Sequence, residues 1–208
     1  MVKLLQMKIE TTLRFQIYIT LAILGVGCAS VDTDVTPKPR GYFRLEMPEH
    51  AYQAWDSVLP FTMEYSKYAT VSFEKRENQM YWVDLQYCTG TSASFNITYL
   101  PLTNKEELRD LAIEEEKMIG FHIDNGKADD VQFYFVEDFE NHVYGRVYDI
   151  IGKGSATPLH FWISDSTQHF LRATLYFNFA PNNDSLQPVI QYLRDDALHL
   201  IGSLKWKE

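Results

Sequence analysis

Apolar and polar residues alternate along much of the chain after residue 60, and this period of two predicts β-strands. Residues 61–65 and 69–73 alternate on either side of Ser66 and Lys67, which predicts a hairpin. The next two strands carry apolar side chains at every second position: Tyr81, Val83, Leu85 and Tyr87 in one, and Phe95, Ile97 and Tyr99 in the other. Pro101 ends the second of them because proline has no amide proton for the ladder.

A helix is predicted after Pro101, since apolar residues there recur at helical spacing. Two capping boxes are possible at its start: Thr103 with Glu106, or Asn104 with Glu107. The apolar stripe consists of Leu108, Leu111, Ala112 and either Met118 or Ile119. Asn125 and Gly126 are typical of a helix end.

The last part of the chain predicts a second helix. Asp184 or Ser185 caps it, and Pro188 fits its first turn, where no backbone amide is needed. Its apolar stripe is the most regular in the sequence: Leu186, Ile190, Leu193, Ala197, Leu200 and Leu204. This stripe predicts that one face of the helix is buried against the sheet.

Four further strands are predicted between the two helices, at residues 131–136, 142–151, 158–164 and 169–178. The resulting fold class is α+β: a single domain with a largely antiparallel sheet of seven or eight strands covered by two helices. Several strands are apolar on both faces, which predicts that both faces of the sheet are covered. By analogy of element order, the arrangement resembles the sandwich of the PsbP and Mog1 proteins.

The N-terminal segment has a different pattern. Lys3, Lys8 and Arg14 precede an apolar run over residues 15–26, which is too short to span a membrane and is typical of a signal peptide, residues 1–27. Small residues then lead to Cys28, as in a bacterial lipobox, so we expect the mature chain to begin at a lipidated Cys28. An ordinary secretory cleavage remains the alternative, because small residues at the cut satisfy that rule equally.

Between Cys28 and the strands, the sequence predicts two further segments. Residues 28–36 are small and polar and form a lipidated tether, and residues 37–60 form a proline-rich N-terminal arm before the domain of residues 61–208. The candidate partner-binding side chains of the arm are Arg40, Tyr42, Phe43 and Arg44. The arm either packs along the surface of its own domain or docks onto a partner near the membrane.

Composition narrows the class of protein. Hydrophobic residues make up 46% of the chain, which indicates a globular domain, and the formal net charge is −9. An acidic protein repels nucleic acid and anionic headgroups, so no nucleic-acid partner is expected and membrane contact should come from the lipid. If Cys28 is acylated, Cys88 has no partner, and no internal disulfide is expected.

No catalytic or metal-binding motif is apparent, so the sequence predicts a protein that is not an enzyme and has no cofactor besides the lipid on Cys28. Residues 152–155 (Gly-Lys-Gly-Ser) lack the spacing of a phosphate loop and are interpreted as a hairpin turn. No histidine lies at ligand spacing from another histidine or a cysteine. Glu114, Glu115 and Glu116 are interpreted as a solvated helix face, and Cys88 as an inert thiol.

One group of polar residues stands out in core-like strands, because buried guanidinium groups require acceptors. Its members form the candidate pocket or buried polar cluster: Tyr144, Arg146, Tyr148, Arg172 and Tyr176. Either the arginines pair with local carboxylates such as Asp84 or Asp149, or they line a pocket or docking face that uses cation–π contacts and forked hydrogen bonds.

A series of short motifs runs along the whole mature chain: residues 36–45, Pro48, residues 61–65, 68–69, 81–82, 143–145, 165–166, 169–173, 175–178, 181–186, 188–190, 200–201 and 205–207. In their order and spacing these motifs resemble those of the GldD gliding-motility lipoproteins of the Bacteroidota. The resemblance implies a role in gliding motility and in the type IX secretion on which gliding depends.

The resemblance further implies an accessory or assembly component that contacts envelope proteins of the gliding and secretion machinery. Its expected location is the cell envelope, anchored by lipid, with the periplasmic face of the outer membrane favoured over the inner membrane. The alternative function is a small-ligand- or lipid-binding lipoprotein that uses the aromatic–arginine face. An envelope hydrolase is the weakest option, because no nucleophile and base occur as a pair.

Overall fold

A computed structural model describes residues 47–87, 92–125, 128–152, 155–178 and 183–207. In chain order, the strands before the first helix are β1 (Tyr52–Asp56), β2 (Phe61–Ser66), β3 (Ala69–Lys75), β4 (Tyr81–Tyr87) and β5 (Ala93–Pro101). Helix α1 (Lys105–Asp124) is followed by β6 (Asp130–Asp138), β7 (Val143–Ile151), β8 (Leu159–Ser164) and β9 (His169–Phe177). Helix α2 (Asn183–Ser203) and the short strand β10 (Lys205–Trp206) complete the α+β domain.

The strands form two antiparallel sheets. The larger has seven strands in the order β3-β4-β5-β9-β8-β7-β6, and the smaller has three in the order β1-β2-β10. The predicted class, a largely antiparallel sheet with two helices in one domain, is therefore confirmed. Strand β1 lies within the segment that the sequence assigned to the proline-rich arm.

The predicted hairpin between β2 and β3 is wrong. Strand β2 pairs with β1 and β10 in the smaller sheet, whereas β3 pairs with β4 in the larger one. The amide of Lys67 donates to the carbonyl of Ala51 (2.8 Å), so the pairing with β1 continues one residue past the end of β2. Alternation identifies a strand but not its partner: β2 pairs with β1, which precedes it in the sequence, and with β10, a two-residue strand near residue 205.

One face of the large sheet carries the main hydrophobic core. Register aligns five buried side chains in a row across it: Val83, Ile97, Ala173, Phe161 and Val147. Helix α2 contributes Leu193 and Leu200 to the same cluster, and β2 contributes Phe61 and Met63. The predicted apolar stripe of the last helix therefore faces the core, and the small sheet covers this face beside the helix.

The opposite face is only partly covered. Helix α1 packs Ile119 against Tyr148 and Ile150, with Trp162 at the margin of this smaller cluster. Strands β3, β4 and β5 instead present exposed polar side chains there, including Asp84, to which Asn96 donates (2.6 Å). The expectation that both faces are covered is thus correct beneath α1 and wrong over β3 to β5.

The helix starts refine the sequence predictions. Asn104 is the N-cap of α1 and accepts from the amide of Glu107 (2.8 Å), while the Glu107 carboxylate accepts from the amide of Thr103 (2.8 Å). Helix α2 begins at Asn183, so Pro188 lies inside the helix rather than in its first turn. The Asn183 side chain donates to the carbonyl of Ser155 (3.0 Å), which fixes this start.

Candidate functional site

The sheet surface beneath α1 collects the polar residues that the sequence singled out. Strands β7, β8 and β9 are adjacent, and their register places two rows of side chains under the helix: Arg146, Trp162 and Arg172 in one row, and Tyr148, His160 and Thr174 in the next. Side chains in register on neighbouring strands lie close enough to interact. The rows therefore form one polar surface, and its hydrogen-bonding groups need partners from α1.

Helix α1 provides such a partner in Glu115, which is 0% exposed. Arg172 donates to Oε1 of this carboxylate (2.8 Å), and Nε2 of His160 donates to Oε2 (2.7 Å). On the other side of the imidazole, Nδ1 of His160 contacts the hydroxyl oxygen of Thr174 (2.8 Å). The carboxylate thus joins the helix to two strands through charge-assisted hydrogen bonds, which are stronger than neutral ones.

Glu116 makes a second set of contacts at the margin of the helix. It forms an ion pair with Arg146 and accepts from the hydroxyl of Tyr148 (2.9 Å). Trp162 in turn donates from Nε1 to the Tyr148 hydroxyl (3.4 Å). We call the contacts of Glu115 and Glu116 with these strands the carboxylate network.

The pKa shifts follow from these contacts. Burial alone would raise the pKa of Glu115, but the hydrogen bonds and charges of His160 and Arg172 outweigh it and hold the pKa below its ordinary value. Burial raises the pKa of Tyr148, and its hydrogen bond to Glu116 raises it further. Glu115 is therefore ionised and Tyr148 protonated at neutral pH.

The order Thr174, His160, Glu115 resembles the hydroxyl, imidazole and carboxylate of a catalytic triad. A hydrolase also needs backbone amides that stabilise the oxyanion. Strand β9 pairs with β5 on one side and β8 on the other, so the amides around Thr174 are committed to the two ladders. The network is suited to holding α1 on the sheet, and the amides of β9 are used in the sheet.

Two interpretations of the sequence need correction here. The three consecutive glutamates are not simply a solvated face, because Glu115 is fully buried. The arginines do pair with carboxylates, but these are not Asp84 or Asp149, since Asp149 accepts from Arg194 instead (2.9 Å). The signal in the sequence was an arginine within each of two apolar strands. The carboxylates that pair with Arg146 and Arg172 lie 30 and 57 residues away, respectively.

Two members of the predicted cluster, Tyr144 and Tyr176, lie outside this network. Tyr144 and Arg146 line an open groove of about 490 Å³ between α1 and strands β6 and β7. The groove is mainly apolar and is lined by Arg109, Ala112, Ile113, Glu116, Phe135, Val136, Glu137, Tyr144, Gly145, Arg146 and Trp162. Tyr176 is exposed, opposite Ser94. The five residues therefore divide between a groove, a buried network and an open surface.

Beside the groove, strand β6 exposes three consecutive aromatic side chains, which we call the aromatic edge: Phe133 (52% exposed), Tyr134 (46%) and Phe135 (64%). The Arg146 guanidinium lies 5.4 Å from the ring centroid of Phe133 and 5.0 Å from that of Phe135. On the other face, Arg194 lies 5.2 Å from the ring of Tyr134.

Alternation in the sequence predicts this strand but does not reveal the aromatic edge. Its signal is three aromatic residues in succession, because a half-buried strand would place a polar residue between Phe133 and Phe135.

Other predicted features are located as follows. Cys28, Arg40, Tyr42, Phe43, Arg44 and Cys88 lie outside the described residues. Within the described ranges, no three His, Cys, Asp or Glu side chains are grouped to hold a metal ion. In the same part of the chain, no helix has the length and apolar character needed to cross a membrane.

No curated protein matches this chain. Residues 32–206 match the family described as gliding motility lipoprotein GldD. The matched range includes every strand and both helices described above. The chain therefore belongs to the GldD family of gliding motility lipoproteins.

Proposed function

We propose that this protein is a non-enzymatic accessory or assembly component of the gliding and type IX secretion machinery that acts through protein–protein contacts. The family match supports a place in gliding motility. The observation that carries the contact mechanism is the aromatic edge, since contiguous exposed apolar surface marks interaction sites.

The chemistry of the aromatic edge suits a partner interface. Aromatic and arginine side chains most often dominate the binding energy of such interfaces. Phe133 and Phe135 pack edge to face with ring centroids 5.7 Å apart, and Arg146 lies against both rings. Rings that are already held in place lose little conformational entropy on binding.

Attachment to the membrane is the second part of the proposal. Lipid on Cys28 holds the protein at the periplasmic face, with the outer membrane favoured. The net charge of −9 supports a lipid anchor, because an acidic surface gains nothing from anionic headgroups. Mass spectrometry of the mature N-terminus tests this step: a diacylated Cys28 is expected, and an unmodified N-terminus contradicts it.

The contact mechanism is tested by replacing Phe133 and Phe135 together with serine in the full chain. The variant is expected to fold, to reach the membrane and to lose colony spreading and secretion. Val58→Ser is a matched control, because Val58 is also exposed (77%) but lies between β1 and β2. A folded, localised double variant with normal spreading and secretion would show that the aromatic edge is not the contact surface.

The arm supplies a second candidate contact. Arg40, Tyr42, Phe43 and Arg44 combine charge and aromatic surface close in sequence to the proposed anchor. The double change Tyr42→Ala with Arg44→Ala is expected to abolish spreading while the protein remains folded and localised. Normal spreading in that variant would restrict the contact to the folded domain.

A ligand-binding lipoprotein is the second candidate function. It is favoured by the groove, whose volume of about 490 Å³ lies in the range of small-molecule sites. Arg109 and Arg146 would take the polar group of such a ligand and Ile113 its apolar part. Native mass spectrometry of the purified protein decides this point, because a bound small molecule lost in Ile113→Asp supports it and an unliganded mass counts against it.

A further inference from the structure

Strand β6 lies at the end of the large sheet. It pairs with β7 over all nine of its residues, and it has no further strand beside it in the described sheet. An edge strand presents backbone amide and carbonyl groups that can pair with another extended chain. Natural proteins usually protect such edges with charges, proline, bulges or covering elements.

The opposite edge, β3, shows this protection. Glu74 and Arg76 form an ion pair at its end (2.9 Å), and Lys75 lies over the ring of Tyr81. The apolar side chain of Phe73 packs against Trp55 of β1, with ring centroids 5.8 Å apart. Mixed charges therefore lie at the end of this edge, and Phe73, although 46% exposed, packs against the second sheet on one side.

The centre of β6 contains no charged residue, proline or covering strand in the described sheet, and Arg146 and Arg194 lie against its rings from β7 and α2. Its ends carry charge of one sign. Asp130 lies at one end and Glu137 and Asp138 at the other, and the strand contains no basic residue. Between the ends, the aromatic edge projects on both faces of the strand. A segment that paired with β6 would therefore meet apolar surface in the middle and negative charge at each end.

We infer that β6 accepts an extended segment of a partner protein as an eighth strand, and that this segment is apolar at its centre and basic at both ends. The inference rests on the proposed function, because it specifies the partner of the same surface. Main-chain hydrogen bonds would provide affinity, and the charged ends would fix register and select the partner.

A second copy of this chain does not fit the site. Antiparallel pairing of two β6 strands about Tyr134 would place Asp130 of one copy opposite Asp138 of the other. Parallel pairing would place like residues side by side. Like charges directly opposite each other destabilise a strand pair, so the acidic ends act against self-association.

The test uses the full chain purified in detergent and three fluorescent peptides. The first alternates valine and threonine between pairs of lysines, the second has glutamates in place of the lysines, and the third carries N-methyl groups on alternate amides of the first. Fluorescence anisotropy is expected to show binding of the lysine peptide alone. N-methylation should weaken it at least tenfold, because it removes main-chain donors.

Charge reversal on the protein provides the matched comparison. The pair Asp130→Lys and Glu137→Lys should weaken the lysine peptide at least tenfold and allow the glutamate peptide to bind. The control pair Glu74→Lys and Glu77→Lys, on the β3 side, should change neither affinity. The rescue by the glutamate peptide cannot result from misfolding.

Three outcomes would overturn the inference: no binding of the lysine peptide, equal binding of the N-methylated peptide, or a dimer in sedimentation that Phe135→Ser dissociates. Failure of the proposed function is distinguishable from these. If the serine variant of the aromatic edge loses motility but no peptide binds, the contact surface stands and strand addition falls. If motility is normal, the proposed function falls whatever the peptides do.

Discussion

On one face of the large sheet, helix α2 packs through fully buried apolar side chains such as Leu193, whereas on the other face helix α1 is held by Glu115 and Glu116. Apolar packing is non-directional and supplies most of the stability of a domain. Charged hydrogen bonds have fixed geometry but recover their desolvation cost only when every group is paired.

The difference matters for function because α1, and not α2, forms one wall of the groove. Glu116 pairs with Arg146, and the same guanidinium lies over Phe133 and Phe135 of the aromatic edge. The charged face thus couples the position of the helix to the arrangement of the exposed rings. One face of the sheet therefore stabilises the domain, and the other holds the exposed rings in position.

The largest effect on stability is expected from a substitution in the apolar face. Leu193→Ala should lower the free energy of unfolding by about 2–5 kcal/mol, because it removes a fully buried side chain and leaves a cavity. Leu198→Ala on the same helix is the control, since Leu198 is 39% exposed and should change stability by no more than about 0.5 kcal/mol. Urea unfolding measures both, and equal effects would contradict the assignment of the buried stripe.

The next effect breaks the charged face. Glu115→Ala leaves His160 and Arg172 without their carboxylate and should cost about 3 kcal/mol, near the lower end for buried pairs because Arg172 is one-third exposed and can be rehydrated. Glu114→Ala, one residue earlier and exposed, should change stability by no more than about 0.5 kcal/mol. A similar cost at both positions would show that the network does not distinguish the two glutamates.

Lowering the pH should weaken the attachment of α1 through Glu115 more than the apolar packing of α2. The pKa of Glu115 in the folded protein lies below its ordinary value of 4.5, so its ionised form stabilises the fold above that value. This stability is lost as the pH falls below 4.5, because the unfolded chain then binds a proton more readily than the folded one. Urea midpoints measured from pH 7 to pH 3 should fall less steeply in Glu115→Gln than in Glu114→Gln, and parallel curves would contradict the shift.

The sequence predicts the apolar face far better than the charged one. The regular spacing of residues such as Leu193 and Leu200 is a local signal that survives in the fold. The partner of Glu115 cannot be predicted from local spacing, because Arg172 lies 57 residues away. A run of glutamates is also usually solvated, so burial of one of them is not expected. Strand partners fail for the same reason, since β2 pairs with β10, a two-residue strand too short to show alternation.

The candidate site was predictable only in part. Arg146 and Arg172 were identified because a guanidinium in an apolar strand requires an acceptor, and that reasoning holds locally. Which carboxylate accepts, and whether the surrounding aromatic residues are buried or exposed, depends on where α1 lies across the sheet. Tyr148 is buried and Tyr176 exposed, although both occupy similar positions in alternating strands.

The smallest expected effect on stability concerns the aromatic edge. Phe135 is 64% exposed and packs mainly against Arg146, so Phe135→Ser should lower the free energy of unfolding by less than about 1 kcal/mol, the value of an exposed cation–π contact. Trp162→Ser, on the half-buried side of the same groove, should cost more, because Trp162 packs on Phe170 with ring centroids 5.8 Å apart. Thermal unfolding of both variants measures the difference.

The pair of measurements separates the two roles of this face. A side chain that contributes little to stability, exposes apolar surface to water and lies in a rigid setting is better suited to a contact with another protein than to the fold itself. If Phe135→Ser destabilises the protein as much as Trp162→Ser, the ring belongs to the packing of α1, and the loss of motility in the serine variants would follow from stability alone. If only Trp162→Ser destabilises it, a loss of motility in the Phe135 variant reports the surface.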